Sequence, residues 1–114
     1  MPFINVKLTK KISEAEETAI KTALGELIEV FPGKSESWLM CCVDSDKKIY
    51  FRGDNSEDSA FIEVKLFGAV NGESADKFTS LISEFLKNTL NIDPSRIYVR
   101  FEGGTEWGWN GSNF

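Results

Sequence analysis

Histidine is absent from this 114-residue chain, so proton transfer near neutral pH must fall to another group. The amino end offers one. Pro2 follows Met1 directly, and removal of Met1 would leave a secondary amine on a ring that fixes its orientation. An α-amino group titrates at about 7.7–8.0, and an apolar pocket holding a cation lowers that value. Such a group can act as general base or acid. Lys34, directly after Pro32-Gly33, supplies a candidate cation, although a lysine at a helix end also complements the helix dipole. Tyr98 and Trp109 read equally well as core or interface aromatics. Taken singly, each of these residues has a purely structural explanation.

Other chemistries are excluded more firmly. Without histidine there is no histidine triad and no histidine-ligated metal, and neither metal nor cofactor is expected. The two cysteines, Cys41 and Cys42, are adjacent in the apolar run Trp38-Leu39-Met40-Cys41-Cys42-Val43. Neighbouring strand residues point to opposite faces, so a disulfide between them would be strained. They are expected to be inert, largely buried thiols in a reducing compartment. A net charge of −5 repels phosphate backbones, which argues against nucleic acid. No stretch is long and apolar enough to span a bilayer, and the first residues lack a secretory signal pattern. A cytoplasmic location is expected, with export by a leaderless route as the alternative.

The elements that must position these residues follow from periodicity. Ile4, Val6 and Leu8 alternate with Asn5 and Lys7, as in a strand with one buried face. Ser13 and Glu16 form a capping-box pattern opening a helix with the stripe Ile20, Ala23, Leu24, Leu27, Ile28 and Phe31, which Pro32-Gly33 ends. A strand is predicted around residues 38–43, then a polar turn at 44–48, a short apolar piece at 49–51 and a loop at 53–58. Ile62, Val64 and Leu66 mark another strand, and Gly68 begins a turn. A second helix carries Phe78, Leu81, Ile82, Phe85, Leu86 and Leu90, and a last strand carries Ile97, Val99 and Phe101. The tail from Gly103 is expected to dock without regular structure.

The length predicts one domain spanning residues 1–114, of α/β (α+β) class. Its halves, roughly 2–43 and 60–101, look like repeated β-α-β units at an offset of 59, with Leu27 and Trp38 matching Leu86 and Ile97. Two such units give a four-stranded mixed sheet with both helices on one face, plus short extra strands. The other face would carry Asn5, Lys7, Glu63 and Lys65 together with Phe3, Phe61 and Tyr98. A partly apolar face calls for burial against sister subunits.

The motifs gain meaning in combination. Met1-Pro2 leading into a strand, Pro32-Gly33-Lys34, Asp93-Pro94-Ser95-Arg96-Ile97-Tyr98-Val99 and the closing Gly108-Trp109-Asn110-Gly111-Ser112-Asn113-Phe114 occur in one order. Over its whole length the chain resembles the macrophage migration inhibitory factor family of the tautomerase superfamily. The resemblance implies a homotrimer with sites at subunit interfaces. It also implies a keto–enol tautomerase for phenylpyruvate-like α-keto acids, and for dopachrome-like compounds, with Pro2 as general acid and base. Lys34 would hold the substrate carboxylate or carbonyl oxygen and depress the proline pKa. Phe67 would offer its backbone N–H, and Tyr98 would come from the neighbouring subunit. Trp107 and Trp109 would wall an aryl-binding pocket.

Three departures from the family pattern stand out. Arg100 takes the place of a common asparagine and adds a cation suited to a carboxylate. Phe67 and Trp107 are bulkier than the usual aliphatic residues. Ser59 and Ile62 stand where the vertebrate protein has a Cys-x-x-Cys pair, which argues against a thiol–disulfide role. Two alternatives accompany the tautomerase expectation. One is a secreted signalling protein that binds a cell-surface receptor, its catalysis vestigial. The other is a decarboxylase or a hydrolytic dehalogenase, with Arg100 as a carboxylate clamp.

Overall fold

The computed structural model describes residues 1–113; Phe114, which closes the last motif, lies outside the described residues. Strand β1 (Pro2–Leu8) turns Ile4, Val6 and Leu8 inward, all fully buried. Ser13 accepts the Glu16 N–H while the Glu16 carboxylate accepts the Ser13 N–H, the reciprocal cap that starts helix α1 (Glu14–Leu27). The last turn tightens to a 3₁₀ turn at Ile28–Val30 before Pro32 stops the helix. Strand β2 is Met40–Asp44 and β3 is Ala60–Phe67. Helix α2 (Gly72–Leu90) is capped by Asn71 and ends at Asn91 in the left-handed conformation. Strand β4 is Ile97–Gly104, and a hairpin of β5 (Gly108–Trp109) and β6 (Ser112–Asn113) follows.

The sheet order is β2-β1-β3-β4, parallel within each half and antiparallel where β1 meets β3. The expected mixed sheet with two helices on one face is the observed architecture. Ile20, Leu24 and Ile28 of the first half and Phe78, Ile82 and Leu86 of the second pack in one cluster with the inward residues of β1 and β3. Burying each such side chain is worth about 1.5–3 kcal/mol, so this shared core locks the two halves into one body.

The halves superpose in sequence at a step of 58, not 59. Caps Ser13 and Asn71, core residues Ile20 and Phe78, and the 3₁₀ turns Glu36–Trp38 and Pro94–Arg96 all obey it. A step of 59 puts Phe3, on the open face, onto Ile62 in the core, and a strand cannot slip by one residue without exchanging its faces.

Other expectations also change. The strand predicted from residue 38 begins at Met40, because Trp38 belongs to a 3₁₀ turn. Trp38 and Met40 are 55% and 68% exposed, so their hydrophobicity serves a surface cleft and not the core. Cys41 and Cys42 are half-buried free thiols, one on each side of an edge strand, and burial pushes the Cys41 thiol up. The apolar piece at 49–51 forms no strand, only a bridge from Phe51 to Asp54. The tail is more regular than expected: Asn110 and Gly111, at φ of 51° and 91°, form the tight turn between β5 and β6.

Candidate active site

Pro32 and Gly33 form a turn closed by the Lys34 N–H donating to the Phe31 carbonyl at 3.1 Å. Gly33 has φ of +78°, which fits the third position of a type II turn, and this reversal sends Lys34 back across the end of the sheet. There the Lys34 ammonium donates to the Phe67 carbonyl at 2.9 Å, with Nζ 5.8 Å from the Phe67 ring centre. The β1–β3 ladder brings the amino end to the same place. Pro2 sits opposite Leu66, and the Phe67 N–H donates to the Met1 carbonyl at 3.1 Å. Phe67 is thus hydrogen-bonded to Lys34 on one side and to the amino end on the other.

The electrostatics of this corner follow. The Met1 ammonium is held below its ordinary value, first by burial and second by the charge of Lys34. The Lys34 ammonium has three N–H donors, and the Phe67 carbonyl takes one.

Two adjoining clefts of about 490 and 540 Å³ open beside this corner. Met1, Trp38 and Trp109 line both, and Pro2, Met40, Lys65 and Trp107 line the larger. Trp38 and Trp109 meet edge to face at 5.4 Å between ring centres, an orientation that favours the aromatic pair. Both remain more than half exposed, so large aromatic surface faces the cleft unpaid by burial. Volumes of this size suit a small ligand with an apolar ring. Trp38 and Met40 were overlooked at the level of sequence because they looked like strand residues. The 3₁₀ signal, Ser35-Glu36-Ser37 after Lys34, was the available clue.

The structure therefore gathers Pro2, Lys34, Phe67, Trp107 and Trp109 at one end of the sheet. Tyr98 and Arg100 are elsewhere in the same chain. Tyr98 pairs with Phe61, and Phe61 with Lys7, five residues along β1 from Pro2; that is about 17 Å at ~3.3 Å per residue. Arg100 pairs with Glu63, which faces Asn5, also remote from Pro2. Both side chains stand on the sheet face that the helices leave open, and both are exposed. Neither can contact the chain's own Pro2 without unpairing β4.

A family model described as macrophage migration inhibitory factor matches residues 1–114. The chain belongs to the macrophage migration inhibitory factor family. A macrophage migration inhibitory factor of Xenopus tropicalis is 26% identical over 100% of this chain and 99% of its own. A macrophage migration inhibitory factor homolog of Trichuris trichiura is 30% identical over 78% of this chain and 79% of its own. The crystal structure of MIF2 from Leishmania major superposes with a TM-score of 0.90, covering 100% of this chain and 97% of that one at 24% identity, a likeness of fold. The family lies in the tautomerase superfamily, which includes isomerases. In this macrophage migration inhibitory factor family member, Ser59 and Ile62 are buried, and Ser59 accepts a hydrogen bond from Arg96. No helix among the described residues is long and apolar enough to cross a membrane.

Proposed function

We propose that the chain, once Met1 is removed, is a keto–enol tautomerase for phenylpyruvate-like α-keto acids with Pro2 as the proton carrier. The observation that carries this reading is the convergence of the Lys34 ammonium and the Phe67 N–H on the amino end, which itself lines an aromatic-walled cleft. Pro2 in its neutral form takes a proton from the carbon next to the ketone. The electron pair of that C–H bond forms the carbon–carbon double bond, and negative charge moves to the carbonyl oxygen. Lys34 and the Phe67 N–H, which donates to the Met1 carbonyl in the unprocessed chain, stabilise that oxygen. Pro2 then returns the proton to the oxygen, completing the enol with no net loss of atoms or charge. Trp38, Trp107 and Trp109 receive the aryl group.

In the same reading three chains assemble through their open sheet faces, and Tyr98 and Arg100 of each serve the cleft of a neighbour. Their distance from the chain's own Pro2 supports that arrangement. Arg100 then adds a bidentate partner for the substrate carboxylate.

The test is phenylpyruvate tautomerisation by protein whose terminus mass spectrometry identifies as Pro2, beside a Pro2→Gly control. Collapse of turnover in the control is expected. Equal turnover by both proteins removes Pro2 from the reaction. The name that the relatives carry describes a signalling role, and receptor binding by this protein is the second reading. Signalling that persists in Pro2→Gly would place that role outside the catalysis.

A further inference from the structure

We infer that Phe51 is a positioning residue for Tyr98, fixed in place by the buried Arg96. This rests on the reading in which Tyr98 reaches a neighbouring copy's cleft. Tyr98 is 61% exposed on the open sheet face. Within its own chain a tyrosine so placed has several rotamers open to it, and that freedom weakens substrate binding unless another side chain has already chosen one. Phe51 is placed to choose. Its ring lies 5.6 Å from that of Tyr98, at an interplanar angle of 76°.

The loop bearing Phe51 is built to hold that ring. Phe51 and Asp54 exchange both backbone hydrogen bonds, at 2.9 and 3.0 Å, across a turn in which Arg52 and Gly53 have φ of 54° and 75°. Arg96, only 8% exposed, ties this turn to the body of the protein. Its Nε donates to the Ser59 hydroxyl at 2.9 Å and to the Asp58 carbonyl at 3.2 Å. One terminal nitrogen donates to the Asp54 carbonyl at 2.9 Å, and the other lies 3.6 Å from the Asp54 carboxylate. The Arg96 guanidinium carbon is also 5.4 Å from the centre of the Phe51 ring. Arg96 precedes Tyr98 by two residues, so the loop that presents Phe51 and the strand that presents Tyr98 are anchored at one point.

The experiment uses protein with a free Pro2 and four variants: Phe51→Leu, Phe51→Tyr, Tyr98→Phe and the double variant Phe51→Leu/Tyr98→Phe. Losing one aromatic pair predicts that Phe51→Leu raises KM for phenylpyruvate about fivefold, with kcat within about twofold. Phe51→Tyr, which keeps the ring, restores KM. Tyr98→Phe raises KM, and adding Phe51→Leu to it changes KM by less than about twofold, because both act through one group. The chain has only two tyrosines, so ring resonances assigned with Tyr50→Phe give a second readout. The Tyr98 ring signals shift in Phe51→Leu and return in Phe51→Tyr.

Multiplicative effects of the two substitutions overturn the inference, as does an unchanged KM in Phe51→Leu. A lower sedimenting mass for Phe51→Leu makes Phe51 an interface residue and overturns it as well. If Tyr98→Phe leaves KM and kcat unaltered while Pro2→Gly is inactive, the assignment of Tyr98 falls and the tautomerase stands. If the parent protein fails to turn over phenylpyruvate, the tautomerase reading falls and this inference with it.

Discussion

Replacing Lys34 by methionine tests the electrostatic core of the proposed mechanism. Methionine keeps the length and apolar stem of lysine and removes its charge. Lys34 gives one N–H to the Phe67 carbonyl at 2.9 Å, which aims the ammonium at the end of β1 and leaves two donors for a substrate oxygen. A hydrogen bond to a charged group is worth about 1.5–3 kcal/mol, so losing one from the transition state lowers kcat/KM by about 10- to 150-fold. The loss falls on kcat if Lys34 meets the developing enolate oxygen, and on KM if it holds only the carboxylate. A second effect has a definite sign. Burial and then the Lys34 charge both lower the pKa of the Met1 ammonium; the proposed mechanism sets the same charge beside the Pro2 amine, so removing it raises that amine's pKa. A base must be unprotonated, so the acid limb of the pH–rate profile moves to higher pH in Lys34→Met. The assay is phenylpyruvate tautomerisation across pH by protein with a verified Pro2 terminus, with Lys34→Arg restoring the charge. A kcat/KM within about twofold of the parent, with the acid limb unmoved, would refute the role given to Lys34.

Protein that retains Met1 should not turn over phenylpyruvate, because its Pro2 nitrogen is an amide and the Met1 carbonyl occupies the Phe67 N–H; an aminopeptidase digest followed by mass spectrometry should recover activity in step with Pro2 exposure. Phe78→Ala, at a fully buried site between the helices and sheet, should lower stability by about 3–5 kcal/mol in urea titrations. Arg96→Met should cost about 2–4 kcal/mol, because it takes the donor from the Asp58 carbonyl and the Ser59 hydroxyl and one of two donors from the Asp54 carbonyl. Asp93 is held below the ordinary carboxylate value by the backbone N–H of Ser95. A lowered folded pKa means that its stabilisation is full above the unfolded pKa and fades as pH falls through the folded one. The urea midpoints of the parent and Asp93→Ala should therefore differ near neutrality and converge in acid.

How much of this molecule its sequence determined depends on the range of the physics involved. Local alternation and capping are written in neighbouring residues, so Ile4-Val6-Leu8, the Ser13 and Glu16 box and the α2 stripe were legible directly. So were the two candidate chemical groups, Pro2 and Lys34, since a proline near the amino end and a Pro-Gly turn before a lysine are local signals. Trp38 and Met40 misled because an apolar residue looks the same whether it faces a core or a cleft. The Asn110-Gly111 hairpin signal was present in the sequence and went unread; the structure shows that it presents Trp109 to the cleft.

Only tertiary structure decided which residues meet. The antiparallel pairing of β1 with β3 puts Phe67 against Met1, 66 residues away in sequence, and the register of β3 with β4 carries Tyr98 and Arg100 away from the amino end. Strand register is a collective outcome of packing two helices on one face, where a slip by one residue would expose the whole core. No single residue encodes it. That collective choice makes the Pro2 corner and leaves Tyr98 facing outward from its own chain.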